Sequence, residues 1–145
     1  MKIVYSHLLN FLEKKPSIDE LSKKLFQLGH EHELEGEVFD LEITPNRGDC
    51  LSLKGLARDL NYYYSAKFDQ KIFEGELSKS NLKFENKAEN LCPNISFMEI
   101  EIEGEVKNYA PYLESYFKDL NLNKNNFFTD ISNYVSYETG QPTHC

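Results

Sequence analysis

The sequence predicts an α+β fold, on three observations. Apolar residues recur at three- and four-residue spacing in Ile18, Leu21, Leu25 and Leu28, and again in Leu53, Leu56, Ala57, Leu60 and Tyr64, which marks two amphipathic helices. Near the middle of the chain the period changes to two. Met98, Ile100 and Ile102 point one way and Glu99, Glu101 and Glu103 the other, the alternation of a half-buried strand. Short extended segments, Ile3–Tyr5 and Val38 to Ile43, are interleaved with the helices.

In chain order, Ile3–Tyr5 starts a short strand, and Ser6 is a natural N-cap for a helix from Leu8 to Leu12 that Lys-Lys-Pro stops. Ser17 opens the next helix, with Glu20 completing a capping box, and Gly29 supplies the left-handed residue that closes it. His30 to Gly36 is acidic and polar and reads as a turn or strand end; Val38, Leu41 and Ile43 are extended, and Pro45 ends that segment. Asp49 is the expected N-cap of the Leu53–Tyr64 helix. Gly55 inside it costs about 1 kcal/mol against Ala, and reads either as a close helix crossing or as a tolerated residue without purpose. Residues 66–90 are polar, with one strand expected at Leu82–Phe84. Ile95 and Phe97 are out of phase with the alternating set, through a bulge or a strand covered on both faces. Pro111 suits the first turn of a helix carrying Leu113, Phe117 and Leu120. A last helix is expected from about Asp130 to Glu138, with Ile131 and Val135 inward and Gly140 at its end.

The 145 residues are 40% hydrophobic and 13% aromatic, enough for a core. Sixteen basic and 24 acidic side chains give a formal charge of −8. That balance counts against a broad non-specific grip on nucleic acid, DNA included, because such binding is carried by Lys and Arg on phosphates. It leaves room for a local basic spot. No apolar run approaches the roughly 20 residues of a membrane span, and no signal-peptide pattern opens the chain. The cysteines are Cys50, Cys92 and Cys145, odd in number and widely spaced, with no Cys-x-x-Cys and no zinc-like His/Cys spacing. Free thiols and a cytoplasmic location are expected.

Two stretches carry candidate chemistry. Pro45-Asn46-Arg47-Gly48-Asp49 is a strand-to-helix turn, in which Arg47 can reach a carboxylate, a phosphate or a backbone carbonyl, or brace its own loop. The Arg-Gly-Asp triplet inside it is too short to define an adhesion site. At the other end, Asn133, Gln141 and His144 cluster around Gly140-Gln141-Pro142. Amides present donors and acceptors to a polar ligand, and an imidazole polarises water or holds a carbonyl. No Ser/His/Asp order, paired carboxylates or Gly-rich phosphate loop is visible. Cys50 and Cys145 read as apolar filler or incidental thiols.

Taken together, these stretches resemble the bacterial phenylalanyl-tRNA synthetase β-subunit family, from its N-terminus into its editing module. The opening MKIVYSHLLNFLEKKPSIDELSKKLFQLGHEHE is similar to the family's first module, and EITPNRGDCLSLKGLARDL to its second half. CPNISFMEIEIEGEV has the pattern of the first editing-module strand, APYLESYFKDL of the helix after it, and TDISNYVSYETGQPTHC of the motif that lines the editing pocket. The resemblance implies a winged-helix-like three-helix module over residues 1–66, a linker over 67–90, and the start of an α/β editing module over 91–145. It departs from the family in several places. His30 passes to Val38 without the tRNA-binding β-barrel insert, and the chain stops where the family continues. Asn94, Ile95 and Met98 stand where Arg, Tyr and Arg are commoner, and Ser132 where Thr is usual.

What the resemblance implies for function is a share in joining phenylalanine to tRNA(Phe) and in the pocket that hydrolyses tyrosine wrongly attached to it. ATP and magnesium would act in the holoenzyme, at a ligase site in a partner α subunit, with no cofactor in this chain. Ser132, Asn133, Pro142 and His144 would line one wall of the editing pocket, His144 being the candidate for editing chemistry. The family's acidic residue that reads the tyrosine hydroxyl lies farther along, so the chain alone is expected to edit poorly. The alternative is a free-standing, non-catalytic remnant that binds RNA or a synthetase subunit.

Overall fold

The computed structural model of the protein describes residues 1–67, 74–76 and 78–145. Two compact units are present. One takes in Met1–Asp69 and Asn108–Cys145, and the other Gln70–Lys107. In the first unit a three-stranded antiparallel sheet is packed with five α-helices, so α+β describes it.

The sheet is built from β1 (Lys2–Val4), β2 (Glu31–Glu35) and β3 (Val38–Glu42), in the order β1-β3-β2. The acidic stretch expected as a turn or strand end is therefore a full strand, paired from Glu31↔Glu42 to Glu35↔Val38. Gly36 and Glu37 close that hairpin. Gly36 has φ +61°, the positive first central position that a two-residue II′ turn needs. Ile3 opposes Phe39 across β1 and β3, and both are fully buried.

β1 runs directly into α1 (Tyr5–Leu9), which starts before Ser6 and has no side-chain cap at Val4. The expected Ser6 cap is thus displaced. Tyr5 N–H instead donates to Glu37 O at 2.8 Å, so a loop contact satisfies the donor that a cap would have taken. Lys15 Nζ donates to Leu12 O at 2.7 Å beyond the helix end. α2 (Ile18–Gln27) starts as expected: Ser17 Oγ accepts from Glu20 N–H at 3.3 Å, and Leu21 and Leu25 are fully buried. Gly29, at φ +85°, turns the chain toward β2.

The start of α3 (Leu53–Tyr63) also differs from expectation. Pro45–Cys50 forms a 3-10 turn, and Ser52, not Asp49, is the N-cap. Ser52 is extended and almost fully buried, and its Oγ accepts from Gly55 N–H at 3.0 Å. Asp49 is diverted because its carboxylate is held by two arginines. The α3 stripe of Leu53, Leu56, Ala57 and Leu60 joins Ile3, Leu8, Leu21, Leu25, Phe39 and Leu41 in one core. Each buried Leu, Ile or Phe among them stabilises the fold by roughly 1.5–3 kcal/mol relative to exposure.

α4 (Pro111–Asp119) has Pro111 in its first turn, as expected. α5 (Phe127–Thr139) begins earlier than expected, because Asn126 Oδ1 accepts from Thr129 N–H at 3.1 Å and caps it. Its inward face differs in part: Ile131 packs, half-buried, against the α4 cluster as expected, but Val135 is exposed, while Asp130 and Ser132 are buried. The physical reason is aromatic and polar packing. Tyr134 and Tyr137 fill the space against Leu113, Tyr116 and Phe117 of α4, and Asp130 accepts from Tyr109 Oη–H at 2.7 Å and from Asn125 N–H.

In the second unit, the strands expected at Leu82–Phe84 and Met98–Ile102 are not formed among the described residues. Alternation is necessary but not sufficient for a strand, since each strand needs a neighbour to take its backbone groups. Met98 and Ile100 remain 67% and 72% exposed, so the alternating face has nothing to bury against here. Phe84 and Phe97 make a local contact, ring centroids 4.6 Å apart. The expected linker, 67–90, lies partly outside the described residues.

Candidate functional site

The last residues fold back along α5. Thr143 Oγ1–H donates to Ser132 O at 2.7 Å, the Ser136 Oγ–H proton is shared between Thr143 Oγ1 at 2.7 Å and Gln141 O at 3.0 Å, and Cys145 Sγ reaches Phe128 O at 3.2 Å. Phe128, Ser132 and Ser136 are spaced by one helical turn each, so they lie along one face, and the tail descends it. Gly140, at φ +73°, is the reversal point. A side chain is disfavoured there by that φ and by space, since a Cβ would stand 3.1 Å from Ser52 Cβ.

The four residues named from the sequence fall on this hairpin of helix and tail. Ser132 is buried, with its carbonyl occupied by Thr143; Asn133, Pro142 and His144 are exposed. The residues that anchor the tail, Gln141, Thr143 and Cys145, alternate with Pro142 and His144. In an extended segment this turns the second set away from the helix. A cleft of about 480 Å³ opens elsewhere, beside the sheet, lined by acids including Glu31, Glu33, Asp40 and Glu42, and none of the four residues lines it.

The helix under this tail is fixed to α1. Tyr137 Oη accepts from Val4 N–H at 3.3 Å and pairs with His7 Nδ1 at 3.2 Å, while His7 Nε2 meets Asp119 Oδ2 at 3.1 Å. Lys54 and Glu138 form an ion pair at 2.7 Å between α3 and α5. His7, Asp119 and Tyr137 escaped the sequence reading because they sit on three different helices. The one available signal was the density of tyrosines on α5, at odds with an ordinary apolar stripe.

A second constellation surrounds the 3-10 turn. Arg47 makes a forked contact to Asp49 at 3.0 and 3.1 Å, pairs with Asp59, and stands 2.8 Å from Cys50 Sγ; Arg58 bonds Asp59 and Asp49. Of the partners open to Arg47, carboxylates are the ones it takes. Hydrogen bonds from Arg47 and then Arg58 hold the Asp49 carboxyl far below its usual range. At Asp59 burial pushes upward, but the same two guanidiniums outweigh it and the net direction is down. Burial, then the Asp59 charge, pushes the Cys50 thiol up to about 12, so it is no nucleophile at neutral pH. Burial and the Arg47 charge lower His30, against the pull of Asp59. Among the described residues His30, Cys50 and Asp59 come together. Their wide sequence spacing hid this grouping. The three cysteines are free thiols, Cys50 buried and the others exposed.

No family model and no solved structure matches the chain. Curated proteins do. A phenylalanine–tRNA ligase β subunit of Rickettsia bellii is 35% identical over 117 residues, covering 77% of this chain and 13% of its own length. That of Bdellovibrio bacteriovorus is 33% identical over 112 residues, 74% of this chain and 14% of its own length. That of Rhodopirellula baltica is 31% identical over 157 residues, 99% of this chain and 22% of its own length. The proteins it resembles are thus subunits of an aminoacyl-tRNA ligase. By sequence the chain belongs to the phenylalanine–tRNA ligase β-subunit family, and it spans 13–22% of the length of these relatives. No helix among the described residues is long and apolar enough to cross a membrane.

Proposed function

We propose that the chain acts as the N-terminal part of a phenylalanine–tRNA ligase β subunit in the cytoplasm, working with an α subunit and tRNA(Phe). Residues 1–66 are the winged-helix-like first module, 67–90 the linker and 91–145 the start of the editing module. Joining phenylalanine to tRNA consumes ATP with magnesium, and on this reading that chemistry belongs to the α subunit. This chain contributes the scaffold and one wall of the pocket that hydrolyses mischarged tyrosyl-tRNA(Phe).

The observation that carries the site reading is the tail seated on α5, with Thr143 bound to Ser132 O and Asn133, Pro142 and His144 exposed around that anchor. In the proposed roles, Asn133 holds the terminal adenosine or the ester through its amide, His144 orients or deprotonates the attacking water, and Ser132 and Pro142 shape the wall. Such a pocket answers a physical need. A hydrophobic synthetic site rejects a ligand with one added hydroxyl by only about 10²-fold, whereas a second site that hydrogen-bonds the hydroxyl discriminates in the opposite sense.

The test is a transplant. The segment from Ser132 to Cys145 replaces its counterpart in a complete relative β subunit assembled with its α subunit, and hydrolysis of tyrosyl-tRNA(Phe) is followed. Retained hydrolysis that falls at least tenfold on His144→Ala supports the reading; a chimera that ligates phenylalanine normally yet does not edit overturns the site.

A second reading is favoured by one observation. Residues 108–145 pack in the same unit as 1–69, through Lys54–Glu138 and His7–Tyr137. On this reading the chain is a non-catalytic module that binds RNA or a synthetase subunit. Binding to the α subunit or to tRNA(Phe) without any effect on charging or editing would distinguish it.

A further inference from the structure

His30 is 3% exposed, and its Nε2 has no hydrogen-bond partner among the described residues. A buried polar atom left unpaired is rare enough to require a cause. It faces Asp59 Oδ2 at 3.9 Å, and one ligand atom each from His30, Cys50 and Asp59 lies within 4.8 Å of the others. Cys50 Sγ is 3.5 Å from Asp59 Oδ2 and 3.6 Å from Asp49 Oδ2. We propose that His30, Cys50 and Asp59 form a binding site for a divalent transition-metal ion of the zinc type, with Asp49 or a water molecule at the fourth position.

The donor set decides the ion. Imidazole nitrogen, thiolate sulfur and carboxylate oxygen together suit Zn2+ or Co2+, and not the all-oxygen shells of Mg2+ or Ca2+. Bonds of about 2.0–2.3 Å place the ligand atoms of a zinc tetrahedron roughly 3.3–3.8 Å apart. The two Sγ–O separations already fall there; His30 to Asp59, at 3.9 Å, needs about half an ångström, and the set as a whole, spread over 4.8 Å, needs the His30 imidazole to close by up to about 1 Å on binding. The ligands come from three places, the residue before β2, the end of the 3-10 turn and the middle of α3. An ion would therefore tie the turn to the sheet and the helix.

The competitor is already visible. Arg47 places a guanidinium nitrogen against both Cys50 Sγ and Asp59, so a monovalent cation holds the position that the metal would take. Its side chain is 32% exposed, so a metal would have to displace the guanidinium toward solvent, and Arg58 lies beside Asp49 and Asp59. On binding, the Cys50 S–H proton leaves to solvent and the S–metal bond forms; no electron is transferred.

Titrating the full chain with Co2+, in a Cys92→Ser/Cys145→Ser background, isolates Cys50 as the one thiol. The expected result is a near-ultraviolet thiolate-to-cobalt band and tetrahedral visible bands that saturate at one equivalent, together with a rise in Tm on adding Zn2+ that EDTA reverses. Arg47→Gln, which removes the rival cation, is expected to tighten Co2+ binding at least tenfold. Cys50→Ser should abolish the near-ultraviolet band. Absence of a saturating thiolate band in the folded Cys50-containing protein overturns the proposal, as does a band that survives Cys50→Ser. Unchanged or weaker affinity in Arg47→Gln overturns the competition. Should Cys50→Ser fail to fold, the saturation and the Zn2+-dependent Tm of the Cys50 protein decide alone.

Discussion

Gly55 lies so near Asp49 that a Cβ on it would stand 1.9 Å from the Asp49 carbonyl oxygen. The backbone of α3 therefore packs onto the backbone of the 3-10 turn, and a hydrogen atom is the largest side chain that fits. Of the two sequence readings of Gly55, close crossing is the one realised, although the crossing partner is a turn and not a helix.

Gly55→Ala is expected to destabilise the protein by about 1–2 kcal/mol net. The gain in helix propensity is about 1 kcal/mol, but a contact at that distance forces a backbone shift, and overpacking typically costs 1–3 kcal/mol or above. Urea unfolding followed by circular dichroism measures it. A variant as stable as the parent would mean that the turn is free to move away.

The start of α3 is set by Ser52. Ser52→Ala removes the acceptor for Gly55 N–H and is expected to cost about 1–2 kcal/mol, the upper part of the usual N-cap range, because the site is buried. Asp49→Asn should cost the helix start less, since Asp49 is not its cap. Equal losses in the two variants, measured by thermal or urea unfolding, would restore Asp49 as the cap.

These cases show what was legible in the chain. The α2 and α3 stripes, the Ser17 cap, Pro111 at the head of α4 and Gly140 at the end of α5 follow from local rules, and local rules place them well. Ser6 and Asp49 failed as caps because a partner elsewhere, Glu37 O in one case and two guanidiniums in the other, took the role or the residue away. The Met98–Ile102 alternation failed because strand formation depends on a neighbouring chain segment, which a single stretch of sequence does not contain. For the candidate sites, the tail motif was legible as a contiguous string, while His30, Cys50 and Asp59 meet only after β2, the turn and α3 are folded together.

Tyr137 is the hub between α1, α4 and α5. Its hydroxyl accepts from Val4 N–H and pairs with His7, and its ring contacts Tyr116 at 5.0 Å between centroids. Tyr137→Phe keeps the ring and leaves Val4 N–H without that partner in a tight site. A loss of about 1–3 kcal/mol is expected, together with faster hydrogen exchange at the Val4 amide. Unchanged exchange there would show that water replaces the hydroxyl.

The same tyrosines set an alkaline limit. Burial pushes Tyr64 up to about 12 and Tyr134 and Tyr137 higher still, and the hydrogen bond to Asp130 raises Tyr109 to about 12. An unfolded tyrosine ionises near pH 10. The folded chain thus holds these protons more tightly than the unfolded one. Their stabilisation is complete below about pH 10 and is lost as pH rises through the raised values. The urea midpoint should be level from pH 8 to about 10 and fall steeply toward 12, with phenolate absorbance appearing together with unfolding. In Tyr137→Phe the fall should be shallower, because one of the shifted protons is gone. If phenolate absorbance instead developed fully near pH 10 while the circular dichroism of the folded state persisted, the tyrosines would be titrating freely and the packing of α4 against α5 would be looser than described.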